Sequence, residues 1–358
     1  MFLFQTTWRA TVSVCVVLVG ACVLTGFISS AYKNERQSLG RSHYEAAQSL
    51  VTHGDVREAI AEYRKALLFS PDQPEYRLSL ATALLNAGRL SEAKSHLEQL
   101  LQEDPTNGRI NLLLARVAVR QHRTPAAMEY YQRAVYEYWP TWETDERRQA
   151  RWELIELLGR TGERNELVGE LMQLYANLPP DPEQRLRVGS LLLKNGALSE
   201  ASQVFRDLVR QVPQNAQAHE GLAEVYFSSG DYVAARHEYQ RASRYAPRNQ
   251  EIADGLALTN QVIDIDPELP YIPYAERLRR SQNLVNRILK DLQPCAGAKD
   301  RIAAAQNLLT AKPAPGTDLP LQLEDTAQQL WKDRASLCGQ TAVSDRAVEA
   351  VLPRITHE

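Results

Sequence analysis

Bond-breaking chemistry needs particular residue types at fixed spacings, and this chain offers few of them. His219-Glu220 opens a string that, in zinc proteases, sets two histidines four apart on one helical face. Position 223 is alanine, so the second ligand is missing. The seven histidines do not cluster, and no two cysteines stand three apart, which removes a zinc ribbon. There is no G-x-x-x-x-G-K to cradle a phosphate and no G-x-S-x-G elbow to expose a nucleophilic serine. The C-terminal quarter carries only His357 and scattered carboxylates. The sequence therefore predicts no catalytic residue, no metal and no cofactor. What remains is thiol chemistry: Cys15 and Cys22 fall in an apolar stretch, Cys295 and Cys338 lie near the C-terminus, and residues 23–294 have none.

The elements that carry these residues begin with residues 10–31, which hold no charge across 22 positions. As a helix they span about 33 Å at roughly 1.5 Å per residue, against about 30 Å for a bilayer core. A cleaved signal peptide has a shorter apolar region, although Ser29 and Ala31 are spaced as a cleavage site requires. Val19-Gly20-Ala21-Cys22 is a degenerate lipidation motif, but apolar residues continue past it to Ile28. The reading adopted is a retained single-pass anchor at 10–31, after a short tail at 1–9 and before a juxtamembrane linker at 32–39. Arg9 before the run and Lys33, Arg36 and Arg41 after it lean towards a cytoplasmic domain. The short tail and the signal-like start lean the other way, and an extracytoplasmic domain is expected. With 41 basic and 44 acidic residues the formal charge is −3, which does not favour nucleic acid as a partner.

Beyond the anchor the chain repeats. Prolines at 71, 105, 140, 179, 213 and 247 are spaced by 34, 35, 39, 34 and 34 residues. Gly54 and Gly88, then Gly162, Gly196 and Gly230, keep the 34-residue step, and His122 stands where a glycine is missing. Ala59, Ala93, Ala127, Ala201 and Ala235 form a third ladder, with Leu167 in the fourth unit's place. Each unit reads as two helices. Leu78, Leu80, Ala81, Leu84 and Leu85 share one face of the first, and Ala93, Leu97, Leu100 and Leu101 share one face of the second.

The spaced pattern resembles the tetratricopeptide-repeat family. His219, Leu222, Ala223, Tyr226, Gly230, Ala235, Tyr239, Ala242 and Pro247 carry it in the sixth unit. His43, Ala46, Ala47, Leu50, Gly54, Ala59, Tyr63, Ala66 and Pro71 carry it in the first. His43 and His219 occupy the pattern's first bulky position and are read as packing residues. Six units at 40–73, 74–107, 108–141, 148–181, 182–215 and 216–249 cover 210 residues, with an insertion at 142–147. A capping helix follows at 250–266. The expected fold is all-α: an N-terminal transmembrane helix, a six-repeat α-solenoid with its cap, and a small helical satellite at 267–358. In that satellite Cys295 and Cys338 fall at the same end of two long helices, as either a disulfide or two free thiols.

The resemblance implies a concave groove lined by the first helix of each unit. Arg116, Arg120, Arg151, Arg160, Arg187 and Lys194, along with Arg109, would make it basic and suited to an acidic or C-terminal peptide. Tyr138, Trp139 and Trp142, near Trp152, form a second candidate surface, or else fill the junction that the insertion widens. The function expected is a non-enzymatic, membrane-anchored adaptor that binds protein partners. The alternative is a permanent structural or assembly subunit of a membrane complex.

Overall fold

A computed structural model describes residues 2–140, 144–312, 317–339 and 344–355, with the backbone alone at 2–17, 19–22 and 296. It divides into two bodies, Met1–Glu163 and Arg164–Glu358. Every regular element among the described residues is a helix.

The first body contains α1 (Phe2–His53), α2 (Val56–Phe69), α3 (Pro74–Asn86), α4 (Leu90–Glu103), α5 (Gly108–Arg120), α6 (Thr124–Tyr136) and α7 (Thr144–Thr161). Helices α1 and α2, α3 and α4, and α5 and α6 pack as pairs, and each pair stacks on the next. Local chemistry sets the ends. Pro74 enters the first turn of α3, where its missing N–H costs nothing. The Asn107 side chain accepts the Ile110 N–H at 3.1 Å and caps α5. The packed faces bury Leu80, Leu84, Leu97 and Leu114 almost completely.

Two boundaries differ from the sequence reading. Residues 32–39 are not a linker, because α1 runs unbroken through them into the first repeat. No glycine or proline interrupts 27–39, so nothing in that stretch stops a helix. The insertion is taken up by α7, which has 18 residues where α3 and α5 have 13. Arg147 secures its added start by donating to the Val135 carbonyl at 2.7 Å. Among the described residues no helix is long and apolar enough to cross a membrane. The expected anchor at 10–31 falls largely on side chains outside those residues.

The second body holds α8 (Arg164–Asn177), α9 (Pro182–Lys194), α10 (Leu198–Gln211), α11 (Ala216–Ser228), α12 (Tyr232–Tyr245) and the cap α13 (Gln250–Ile265). Phe205 of α10 is 1% exposed and fits against Gly189 of α9 and Gly221 of α11, where a side chain would collide with its ring. Four helices follow: α14 (Tyr274–Leu292), α15 (Lys299–Leu309), α16 (Leu319–Cys338) and α17 (Arg346–Val351). They form no detached satellite. Val262, Ile263 and Ile265 of the cap share one core with Leu284, Ile288, Leu323 and Val348, because the cap still has an apolar face to cover. The chain end returns to the last repeat: Tyr232 donates to the Ala350 carbonyl at 2.9 Å, and Arg354 pairs with buried Asp266 at 3.2 Å. Cys295 and Cys338 are joined by a disulfide with Cα atoms 4.9 Å apart.

His122 explains itself in backbone terms. Gly54, Gly88, Gly162, Gly196 and Gly230 all take positive φ, and His122 takes the same left-handed turn with φ 57°. That conformation costs a residue with a Cβ about 1–2 kcal/mol. Replacing His122 by glycine is expected to stabilise the protein by about 0.5–1 kcal/mol after glycine's own entropic cost. A raised thermal midpoint for His122→Gly, with a lowered one for Gly88→Ala, is the predicted pattern in thermal melts of the purified chain.

Candidate functional site

The first helices α1, α3 and α5 together build a cleft of about 290 Å³. Tyr44 forms its floor. Its ring is 8% exposed, stacks on Tyr76 with centroids 4.4 Å apart, and is tilted against Tyr63. Its hydroxyl joins three helix-borne groups. It donates to Glu75 Oε1 at 3.1 Å, lies 3.2 Å from Ser79 Oγ, and accepts from Gln48 Nε2 at 2.9 Å. Burial, reinforced by the Glu75 carboxylate, pushes the Tyr44 phenol above its ordinary range, so it keeps its proton and continues to donate. Val51 and Leu78 add apolar surface, while Thr82, Asn86 and Arg109 complete the wall. Asn86 is exposed at the end of α3, where its amide offers both a donor and an acceptor. An apolar floor with neutral amides and hydroxyls, plus one acidic and one basic residue, suits an extended peptide.

The predicted basic residues divide. Arg116 clasps Glu153 of α7 through two hydrogen bonds of 2.7 and 3.0 Å. Glu153 also accepts from Tyr131 of α6 at 2.9 Å and from Gln149 at 3.1 Å. Burial works against the Glu153 charge, but the Arg116 guanidinium outweighs it and holds the carboxyl below its usual range. Burial and then the Glu153 charge push the Tyr131 phenol upward. Arg120 donates to the Leu85 carbonyl at the end of α3. Arg151 lies 5.7 Å from the Tyr136 ring centroid, and Arg160 is 3.9 Å from Glu156. Arg187 and Lys194 are exposed on α9 of the second body. Arg116, Arg120 and Arg151 thus tie neighbouring helices together, whereas Arg160 pairs within α7, since a guanidinium beside a half-buried carboxylate or a helix-end carbonyl is drawn into that contact.

The aromatic candidates also divide. Trp139 is 8% exposed, packs over Gly108, and donates its indole N–H to the Ala134 carbonyl at 2.5 Å. Its ring therefore fills the junction. Tyr138 is 67% exposed, and its backbone pairs with Thr106 and Gly108. Trp142 lies outside the described residues. The histidines read as packing residues do pack, and they also bond: His219 Nδ1 is 2.6 Å from Glu238 and His43 Nδ1 is 2.6 Å from Glu62, each across its helical pair.

Sequence reasoning missed two features. One is the Tyr44 cleft, whose only signal is that Tyr44, Gln48 and Glu75 fall on first helices. The other is an acidic stretch in the second body, where Glu220 and Glu224 of α11 lie near Glu251 of α13. Burial raises both Glu220 and Glu224 above the usual carboxylate range, with the Glu224 and Glu251 charges adding to the rise at Glu220 and the Glu251 charge to that at Glu224. The 220/224 spacing was visible, but the approach of α13 was not.

A family model described as tetratricopeptide repeat matches residues 50–99, 87–138 and 192–259. The chain is 29% identical over 213 residues to the N-terminal acetyltransferase A complex auxiliary subunit NAA15 of Arabidopsis thaliana. That match covers 55% of this chain and 23% of that protein. It is 26% identical over 274 residues to the cellulose synthase operon protein C of Pseudomonas fluorescens (strain SBW25), across 74% of this chain and 20% of that protein. The chain thus spans about a fifth of the length of these two relatives. A solved structure of Pseudomonas aeruginosa pilF aligns with a TM-score of 0.41 at 17% identity, covering 62% of this chain and 99% of that one. The matched spans, the 34-residue step and the observed helical pairs agree: the repeats within residues 50–138 and 192–259 are tetratricopeptide repeats.

Proposed function

We propose that the chain is a non-enzymatic adaptor, held at a membrane by the start of α1, that takes a segment of a partner protein on the face built by α1, α3 and α5. The observation that carries this reading is the Tyr44 cleft, where ordered hydrogen-bonding groups surround open space large enough for a peptide side chain. Its chemistry favours a segment recognised through main-chain amides rather than the strongly acidic one that a free arginine row would select. The membrane part draws on the uncharged run at 10–31 and on Val23, Leu24, Phe27 and Ile28, each more than half exposed. An extracytoplasmic location is part of the proposal, and the Cys295–Cys338 disulfide supports it, because such bonds persist in oxidising compartments. A permanent place in a membrane complex is a second reading. It is favoured by the relative whose name is that of an auxiliary subunit.

A photo-crosslinking residue at Ser79 in the membrane-embedded chain should yield a discrete adduct, and the same residue at exposed Ser91 on α4 should not. Asn86→Ala should reduce the Ser79 adduct about tenfold, equivalent to about 1.4 kcal/mol of binding. Equal adducts at both positions, or indifference to Asn86→Ala, would refute the cleft as the binding face. A partner that stays stoichiometric without crosslinking, after extraction in mild detergent and a high-salt wash, would mark the permanent subunit.

Arg116→Met serves as a contrast. It leaves Glu153 partly buried without its main partner and should destabilise the protein by about 1–3 kcal/mol. Below its melting point the variant should capture partner normally. Lost capture with an unchanged melting point would show that Arg116 contacts the partner after all.

A further inference from the structure

We propose that the base of the first repeat, where the end of α2 meets α1, is a second membrane-contact surface that beds into the phospholipid headgroup layer. The inference rests on reading residues 10–31 as the anchor, and goes beyond it by assigning lipid contact to the repeat itself.

Three observations meet at this place. Helix α1 is continuous from the uncharged run into the repeat, so height above the bilayer core follows from residue count. Arg36 lies five residues past Ala31, about 7.5 Å along the axis at roughly 1.5 Å per residue. The headgroup layer on each face of a bilayer is about 5–7.5 Å thick, so Arg36 stands at its outer edge. The end of α2 is tied to this level, because Arg36 Nη2 donates to the Leu68 carbonyl at 2.8 Å.

The surface there has the make-up of a membrane interface. Leu68 is 69% exposed, Tyr32 62% and Leu39 43%, which in water leaves apolar area uncovered beside the anchor. Tyr32, Arg36, Leu39, Leu68 and Phe69 line an open cleft of about 390 Å³. A second cleft of about 270 Å³ adjoins it, with Lys33, Ser70 and Asp72. Tyrosine settles at headgroup depth with its ring towards the chains, and Lys33 and Arg36 can lay their stems along apolar surface while their charges meet phosphate. Glu35 and Asp72 balance those two cations. Apolar insertion therefore drives the contact, and no anionic lipid is needed. A zwitterionic phospholipid is the partner that fits.

The test uses the full chain, with Cys15 and Cys22 replaced by serine, in phosphatidylcholine vesicles. A fluorophore is placed by Gln73→Cys at the base or by Asp55→Cys at the other end of α1, and lipids spin-labelled near the headgroup serve as quenchers. The prediction is several-fold stronger quenching at 73 than at 55, reduced to the level at 55 by Leu68→Asp, while the chain still floats with the vesicles. Equal quenching at 73 and 55 in a floating chain would overturn the contact but leave the anchor standing. A chain that does not float would overturn both.

Discussion

The structure depends on how closely two short helices approach within each repeat. Ala59, Ala93, Ala127, Ala201 and Ala235 have no exposed surface, and each sits where the second helix meets its partner. A pair of helices only 13 or 14 residues long cannot bury its apolar faces by itself. The small residue lets the pair close, and the outward apolar row of that pair then becomes the seat of the next. The same logic places Gly189 and Gly221 against Phe205, and carries the second body past its last repeat. There α13 has no further repeat to cover it, so α14, α16 and α17 complete the core.

Charge works within that frame rather than across it. Arg116, Arg120 and Arg151 on first helices reach the neighbouring repeat and find Glu153, the Leu85 carbonyl and an aromatic ring. In the second body Arg277 and Ser281 similarly satisfy Glu324, which has no exposed surface. A buried carboxylate without such partners would be costly, so these contacts fix which helix faces meet. Near-neutral overall charge therefore conceals ties between helices and a separate acidic stretch on α11 and α13. The open cleft on α1, α3 and α5 is lined mostly by uncharged groups, with Glu75 and Arg109 as its charges, and a peptide main chain is its proposed occupant.

Much of this was legible because the repeat speaks through residues with one physical job. Positive φ at Gly54, Gly88 and Gly230 follows from the ladder, and so does the unusual turn at His122. The buried alanines and the helical pairs were equally readable. What the sequence could not show was where long side chains end. Arg116 reads as groove-facing, yet its guanidinium finds Glu153, 37 residues on in a helix lengthened by the insertion. Trp139 reads either as a binding aromatic or as filling for the junction, and the slot that Gly108 opens for it decides for the second. The expected linker at 32–39 belongs instead to α1, because no glycine or proline in 27–39 stops the helix.

That continuity is what joins the proposed anchor to the proposed partner-binding face, because α1 supplies both. Hydrogen exchange on the full chain in phosphatidylcholine nanodiscs tests it most directly. The account predicts slow exchange running without interruption from residue 10 to residue 50. Rapid exchange confined to 32–39 would contradict it, because a flexible hinge there would separate the membrane segment from the first repeat.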